Sequence, residues 1–240
     1  MDHRALTILP VYNEAAHLAG VLEQTLRYSQ DVLVVNDGST DGTAAALANW
    51  AGVQVLTHPH NLGYGAALRS GFDWAVRKGY DIVVTIDCDG QHEPQRIPQF
   101  VEACGAADIV SGSRYLQHFA GDSRPPEARR RINSLLTEEI NRRLGLRLTD
   151  AFCGFKAYRT AALVRVRFSE NGYAMPLEFW VQAAALGLRI VELPVPLIYL
   201  EAHRSFGGAL DDADTRLAVY RQVLDQAMAA VGMGMEIGHG

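Results

Sequence analysis

Asp87 and Asp89 flank a single cysteine at the end of the apolar run Ile82-Val83-Val84-Thr85-Ile86, and Gly90-Gln91-His92 follows. In an extended chain residues i and i+2 share a face, so both carboxylates leave the end of a buried strand together while Cys88 turns to the other side. Two converging carboxylates form a site for a hard cation. Proteins hold Mg²⁺ or Mn²⁺ with one or two carboxylates completed by the oxygens of a substrate diphosphate, and Asp87 and Asp89 are candidates for that task. An Asp-x-Asp alone is a weak signal; its position at a strand end gives it weight.

Three more segments follow apolar runs in the same way: Pro10-Val11-Tyr12-Asn13-Glu14, Asn36-Asp37-Gly38-Ser39-Thr40-Asp41-Gly42 and Asn61-Leu62-Gly63-Tyr64-Gly65. Asp37 is placed to accept from a base or ribose, and Gly63 and Gly65 would let backbone approach a ligand at a helix N-terminus. Each segment also has an ordinary reading as turn or helix entry, and only the four together point to one crevice. A dinucleotide fingerprint would need a third glycine three residues after Gly65; that position is Leu68, and a Walker loop is absent.

The elements that must position these groups are legible in the apolar pattern. Strand-like runs at Leu6–Leu9, Val32–Val35, Val53–Leu56, Ile82–Ile86 and Asp108–Val110 alternate with helices from about Glu14, Thr43, Tyr64 and Pro94. Continuously apolar strands separated by helices predict an α/β fold with a mostly parallel central sheet flanked by helices, which binds ligands at the carboxyl ends of its strands. The second half predicts an Arg-rich helix from Glu127 to Leu144, a loop over 149–156, a helix opened by Pro176 and a strand from Arg189 to Val195. A last helix, about Asp211 to Val231, carries Leu217, Tyr220, Leu224, Met228 and Val231 at helical spacing, a stripe for the core or for a second subunit in a homodimer. With no internal repeat or linker, residues 1–240 read as one domain: a nucleotide-binding part to about 115, an acceptor-binding part over 116–210, and the terminal helix over 211–231.

Composition narrows the function classes. Lys+Arg 22 against Asp+Glu 27 gives a net charge of -5, which does not suggest a nucleic-acid binder. Yet twenty of the 22 basic residues are Arg, and seven of them fall between Arg124 and Arg147, a local patch suited to a phosphorylated ligand or an anionic surface. Three cysteines without a Cys-x-x-Cys pair argue against a disulfide framework or structural zinc. The first residues lead straight into a strand and no run of eighteen apolar residues occurs, so a cytoplasmic protein is expected, docking peripherally if it works at the inner membrane surface.

With Ser-Gly-Ser-Arg-Tyr at 111–115, Asp-Ala-Phe-Cys-Gly-Phe-Lys at 150–156 and Glu-Leu-Pro-Val at 192–195 added to the four segments, the chain from Ile8 to Gly208 resembles the family 2 glycosyltransferases of the GT-A nucleotide-sugar fold, in particular the dolichol- or polyprenyl-phosphate mannosyl- and glucosyltransferases. The resemblance implies an inverting, Mg²⁺- or Mn²⁺-dependent transfer of a hexose from a GDP- or UDP-sugar. It implies that Pro10, Tyr12, Glu14 and Asp37 hold the nucleoside, with Gly65 close by. Asp87, Asp89 and Gln91 would hold metal and diphosphate, and Arg114, Arg130 and Arg131 an acceptor phosphate, with Lys156 and Arg204 as further phosphate contacts. Asn36 stands where the family has an acid, and the late Arg-x-x-Gly-x-Ser-Lys segment survives only as His203-Arg204-Ser205-Phe206-Gly207-Gly208. A phosphate acceptor is already anionic at pH 7, whereas a hydroxyl acceptor needs a general base, for which Glu178 and Asp150 are the candidates. A non-catalytic nucleotide-sugar-binding protein is the remaining alternative, and the intact Asp87/Asp89 pair argues against it.

Overall fold

The computed structural model describes residues 3–48, 50–123, 125–200 and 208–233. Its strands are β1 (Ala5–Val11), β2 (Asp31–Asn36), β3 (Val53–Thr57), β4 (Ile82–Thr85), β5 (Ile109–Ser113), β6 (Lys156–Arg159) and β7 (Ile190–Pro194). Its helices are α1 (Ala15–Thr25), α2 (Thr43–Leu47), α3 (Tyr64–Arg77), α4 (Ile97–Ala103, entered by a 3₁₀ turn at Pro94–Arg96), α5 (Glu127–Leu144), α6 (Thr160–Leu163), α7 (Met175–Ala185) and α8 (Ala213–Ala230).

One seven-stranded sheet in the order β3-β2-β1-β4-β6-β5-β7 takes strands from both halves of the chain. Every pairing is parallel except the two made by β6, which runs antiparallel between β4 and β5. Strand alternation divides the core. Leu6 and Ile8 of β1 and Leu33 and Val35 of β2 face one side, under α3, α5, α7 and α8. Leu9, Val11, Val32 and Val34 face the other, under α1, α2 and α4. Trp180, Phe100 and Phe155 are fully buried, and each such side chain contributes about 1.5–3 kcal/mol of transfer free energy.

β6 departs from the sequence reading, which ended a loop at Lys156 and recognised no strand after it. Its four residues, Lys-Ala-Tyr-Arg, show no apolar alternation; its pairing with β4 and β5 makes it a strand. β5 also runs on through Ser111-Gly112-Ser113, which places Arg114 at a strand end. The stripe of α8 packs on its own chain: Tyr220, Leu224 and Met228 are buried in the core with residues of α5 and α7. Among the described residues no helix is long and apolar enough to cross a membrane.

Candidate active site

The carboxyl ends of β1, β2 and β4 open onto a cavity of about 810 Å³ that continues beneath α5, α7 and α8. The loop after β1 is locked to the loop after β2 by the side chain of Asn13. Asn13 adopts a left-handed backbone (φ 56°), and its Oδ1 accepts from Thr40 N at 2.8 Å and Asp41 N at 3.3 Å. Asn36, buried at the end of β2, accepts from Ser39 N at 3.1 Å, so the amide standing in place of the family acid shapes the turn. These loops hold Pro10, Tyr12 and Glu14 against the cavity, with Tyr12 42% exposed.

Asp37 also lines the cavity, but most of its acceptor capacity is used. Its carboxylate pairs with His58 Nδ1 at 2.7 Å and accepts from Leu62 N at 2.9 Å and Gly63 N at 2.8 Å. A carboxylate has about four lone-pair sites, so roughly one is left for a ligand in the cavity. His58 is steadied in turn by Ser70 Oγ at 2.9 Å.

The Asp87/Asp89 pair emerges as the strand alternation requires, both lining the cavity while Cys88 is buried in the opposite core. Asp87 is positioned from three sides. Tyr64 donates its hydroxyl to Oδ1 at 3.0 Å, His92 Nε2 lies 3.2 Å from Oδ2, and a Cβ at Gly154 would collide with the carboxylate. Burial and the charge of Asp87 push the Tyr64 hydroxyl well above its usual pKa, so it stays a neutral donor. Asp89 Oδ1 accepts from Gln91 N at 3.0 Å, which folds the Gln91 side of the turn toward the cavity. Among the described residues no three His, Cys, Asp or Glu side chains gather as a metal cage. The two carboxylates by themselves fit a hard cation whose shell is completed by diphosphate oxygens and water, as suits Mg²⁺ or Mn²⁺.

On the other side the cavity wall is basic. Arg114 makes a two-pronged contact with Asp150, Nε to Oδ2 at 2.6 Å and Nη2 to Oδ1 at 2.9 Å, and Asp150 also accepts from Asn133 Nδ2 and Phe152 N. Burial works to raise the Asp150 carboxyl, but the Arg114 charge and these hydrogen bonds outweigh it and hold it below the usual carboxylate range. Lys156 is buried beside them, its ammonium donating to the Cys153 carbonyl; desolvation pulls its pKa down against the pull of Asp150 and Asp87. Glu192 of the Glu-Leu-Pro-Val segment braces this corner by accepting from Thr149 N and Asp150 N.

Four sequence expectations change. Asp150 is fully buried, off the cavity lining and fixed to Arg114 as its counter-ion, not presented to the cavity as a base would be. Glu178 does not line the cavity: it accepts from Ser169 N, Ser169 Oγ and Glu170 N, and so braces the turn before α7. Gly65 is reserved for protein rather than ligand, since Ala66 N donates to Asn171 O at 3.2 Å and a Cβ at Gly65 would strike the Glu170 carbonyl. Arg131 is exposed and off the cavity, whereas Arg129 and Arg130 line it. Helical spacing carried the signal: Arg129 falls in register with buried Ile132 and Leu136, and Arg131 does not. Arg204 lies outside the described residues.

Sequence reasoning named His92 only within its motif and passed over Arg216 entirely. Arg216 and Tyr220 of α8 both line the cavity, and their spacing of four with the buried Leu224 would have placed them on the packed face of that helix.

The family model for glycosyl transferase family 2 matches residues 7–167. An undecaprenyl-phosphate mannosyltransferase of Micrococcus luteus is 36% identical over 88% of this chain and 90% of its own length. A polyprenol monophosphomannose synthase of Mycolicibacterium smegmatis is 33% identical over 95% of this chain and 91% of its own. Among solved structures, glucosyl-3-phosphoglycerate synthase of Mycobacterium tuberculosis bound to phosphoglyceric acid superposes with a TM-score of 0.70 at 20% identity, covering 98% of this chain and 82% of that one. That likeness is one of fold, the GT-A fold of nucleotide-sugar transferases. The strand-end loops, the paired carboxylates and these relatives agree, and the chain belongs to glycosyl transferase family 2 and is a glycosyltransferase.

Proposed function

We propose that this enzyme transfers a hexose, mannose or glucose, from a GDP- or UDP-sugar to the phosphate of a polyprenyl phosphate, with inversion, working at the membrane surface as a peripheral protein. The observation that carries this reading is the polarity of the cavity. Its acidic residues Glu14, Asp37, Asp87 and Asp89 all come from the β1, β2 and β4 strand ends, while Arg114, Arg129, Arg130, Lys156 and Arg216 form the remainder of its charged wall. Both acids that could have served a hydroxyl acceptor as base are engaged elsewhere. A phosphate monoester, with a second pKa near 6, needs no base and is drawn to arginine. The named relatives, a mannosyltransferase and a phosphomannose synthase on polyprenyl acceptors, lend support.

Pro10, Tyr12, Glu14 and the remaining acceptor position of Asp37 would seat the nucleoside. Asp89 and Asp87, with Gln91, would hold a divalent ion, whose chemistry is to neutralise charge on the departing diphosphate. The chain's own part is geometric: Tyr64, His92 and Gly154 hold Asp87 still, and Arg114, fixed by Asp150, presents a pre-oriented guanidinium to the incoming phosphate, so little reorganisation is needed during transfer. Turnover with farnesyl phosphate and with farnesol as acceptors tests the reading. Strong preference for the phosphate is expected, and equal turnover would overturn it.

A further inference from the structure

The chain leaving β7 runs along the cavity. Val195 is buried and still pairs as the strand does, donating to the Ser113 carbonyl at 2.9 Å. Two residues on, Leu197 is fixed at both backbone groups: its N–H donates to Asp122 Oδ1 at 2.9 Å, and its carbonyl accepts from Ser123 N at 2.7 Å. Leu197 and Tyr199 line the cavity, and Leu200 lies over the turn that carries the two carboxylates, its Cδ1 3.1 Å from where a Cβ on Gly90 would stand. From α5 the Arg129 guanidinium lies over the Tyr199 ring, 5.6 Å from its centroid. At the tip of that ring is a polar atom without a partner. The Tyr199 hydroxyl is closed to solvent and makes no hydrogen bond among the described residues. Trp74 Nε1 is in the same condition, but Trp74 is not on the cavity. A buried hydroxyl left this way has lost its water and gained nothing in exchange, which native structures rarely tolerate without a reason.

We propose that Tyr199 is an acceptor-binding residue whose hydroxyl donates to an oxygen of the acceptor's phosphate. The inference rests on the phosphate-acceptor reading above and adds a contact from outside the residues matched to the family. An anion drawn to the basic wall comes to the arginine that lies on the Tyr199 ring, and so to the same side chain. Phosphate oxygens are strong acceptors and take a neutral hydroxyl as readily as an N–H. The ring forms part of the cavity wall, so a small shift of the side chain, of the kind common on binding, presents its hydroxyl to the ligand. The backbone bonds of Leu197 leave that shift to the side chain alone.

The test measures initial rates of Tyr199→Phe, which keeps the ring and removes only the hydroxyl, with farnesyl phosphate and farnesol at saturating and at varied donor. Losing a hydrogen bond to a charged oxygen should raise the acceptor KM for farnesyl phosphate at least about fivefold, with the donor KM within about twofold. A smaller rise overturns the inference, and so does a rise carried by the donor KM instead, which would set the hydroxyl against the hexose. Without ligand the variant should melt at or above the wild-type Tm, because it gives up an unpaired group; a fall of several degrees would show that the hydroxyl has a partner within the protein and would also overturn the inference. The wild type separates the two claims. Equal use of farnesol and farnesyl phosphate ends the phosphate reading and this inference with it, whereas a clear preference for the phosphate that Tyr199→Phe leaves intact, at unchanged acceptor KM, ends only the role of Tyr199.

Discussion

Asp150→Asn separates a counter-ion from a general base. The carboxylate is fully buried and accepts from five donors: Arg114 Nε, Nη2 and N, Asn133 Nδ2 and Phe152 N. The amide keeps the volume but removes the charge and points an N–H₂ at groups that are themselves donors. Breaking a buried ion pair from one side costs about 3–5 kcal/mol; the Arg114 side chain is 23% exposed and can regain some water, so the low end, about 3 kcal/mol, applies. For a chain of 240 residues each kcal/mol moves Tm by about 2–4 °C, giving a fall of about 6–12 °C by calorimetry or circular dichroism. The pH dependence has a definite sign. A folded pKa held below the ordinary 3.8 contributes stability that is present above that value and lost as pH falls through the folded pKa. The stability gap between wild type and variant should therefore be constant above about pH 5 and narrow below about pH 4. Transfer should weaken chiefly through the acceptor KM, because a loosened Arg114 no longer meets the phosphate squarely. A variant with wild-type Tm and a kcat lower by about 10²–10⁴ at unchanged acceptor KM would refute the reasoning and return Asp150 to the role of base.

Asp89→Asn should lower kcat at least about a hundredfold, and excess chelator should silence the wild type until Mg²⁺ or Mn²⁺ is restored; full turnover in chelator would remove the metal from the scheme. Arg129→Ala should raise the acceptor KM about tenfold while Arg131→Ala, on the exposed face of α5, stays within about twofold; steady-state kinetics giving the reverse order would mean that the helix presents another face. Glu178→Gln should destabilise the fold by about 1–3 kcal/mol in urea titration through the donors it leaves at Ser169 and Glu170, with an unaltered pH profile of transfer. A stable but inactive variant would restore Glu178 as a catalytic acid or base.

Local rules were enough to place the strand-end residues on the cavity. The period-2 alternation that buries Cys88 also turns Asp87 and Asp89 into the cavity, and four apolar runs ending in polar segments place Pro10, Tyr12, Glu14 and Asp37 along one sheet edge. Those relations are set by neighbours in sequence, and a strand or helix period is enough to read them. The basic side of the cavity depended on partners far along the chain. Asp150 becomes a counter-ion because Arg114, 36 residues earlier, ends a strand two positions away in the sheet order from β4; Gly65 is closed to ligand because Asn171 packs on it; and β6 exists only through its neighbours. Arg216 lines the cavity because α8 buries Tyr220, Leu224 and Met228 against α5 and α7, elements far earlier in the chain. Sequence alone determined which residue types could bind a nucleotide sugar and its diphosphate. Tertiary structure decided which of the acids and arginines line the cavity and which are buried against protein partners, because a charged group's surroundings are set by the partner that neutralises it, and that partner is chosen by packing.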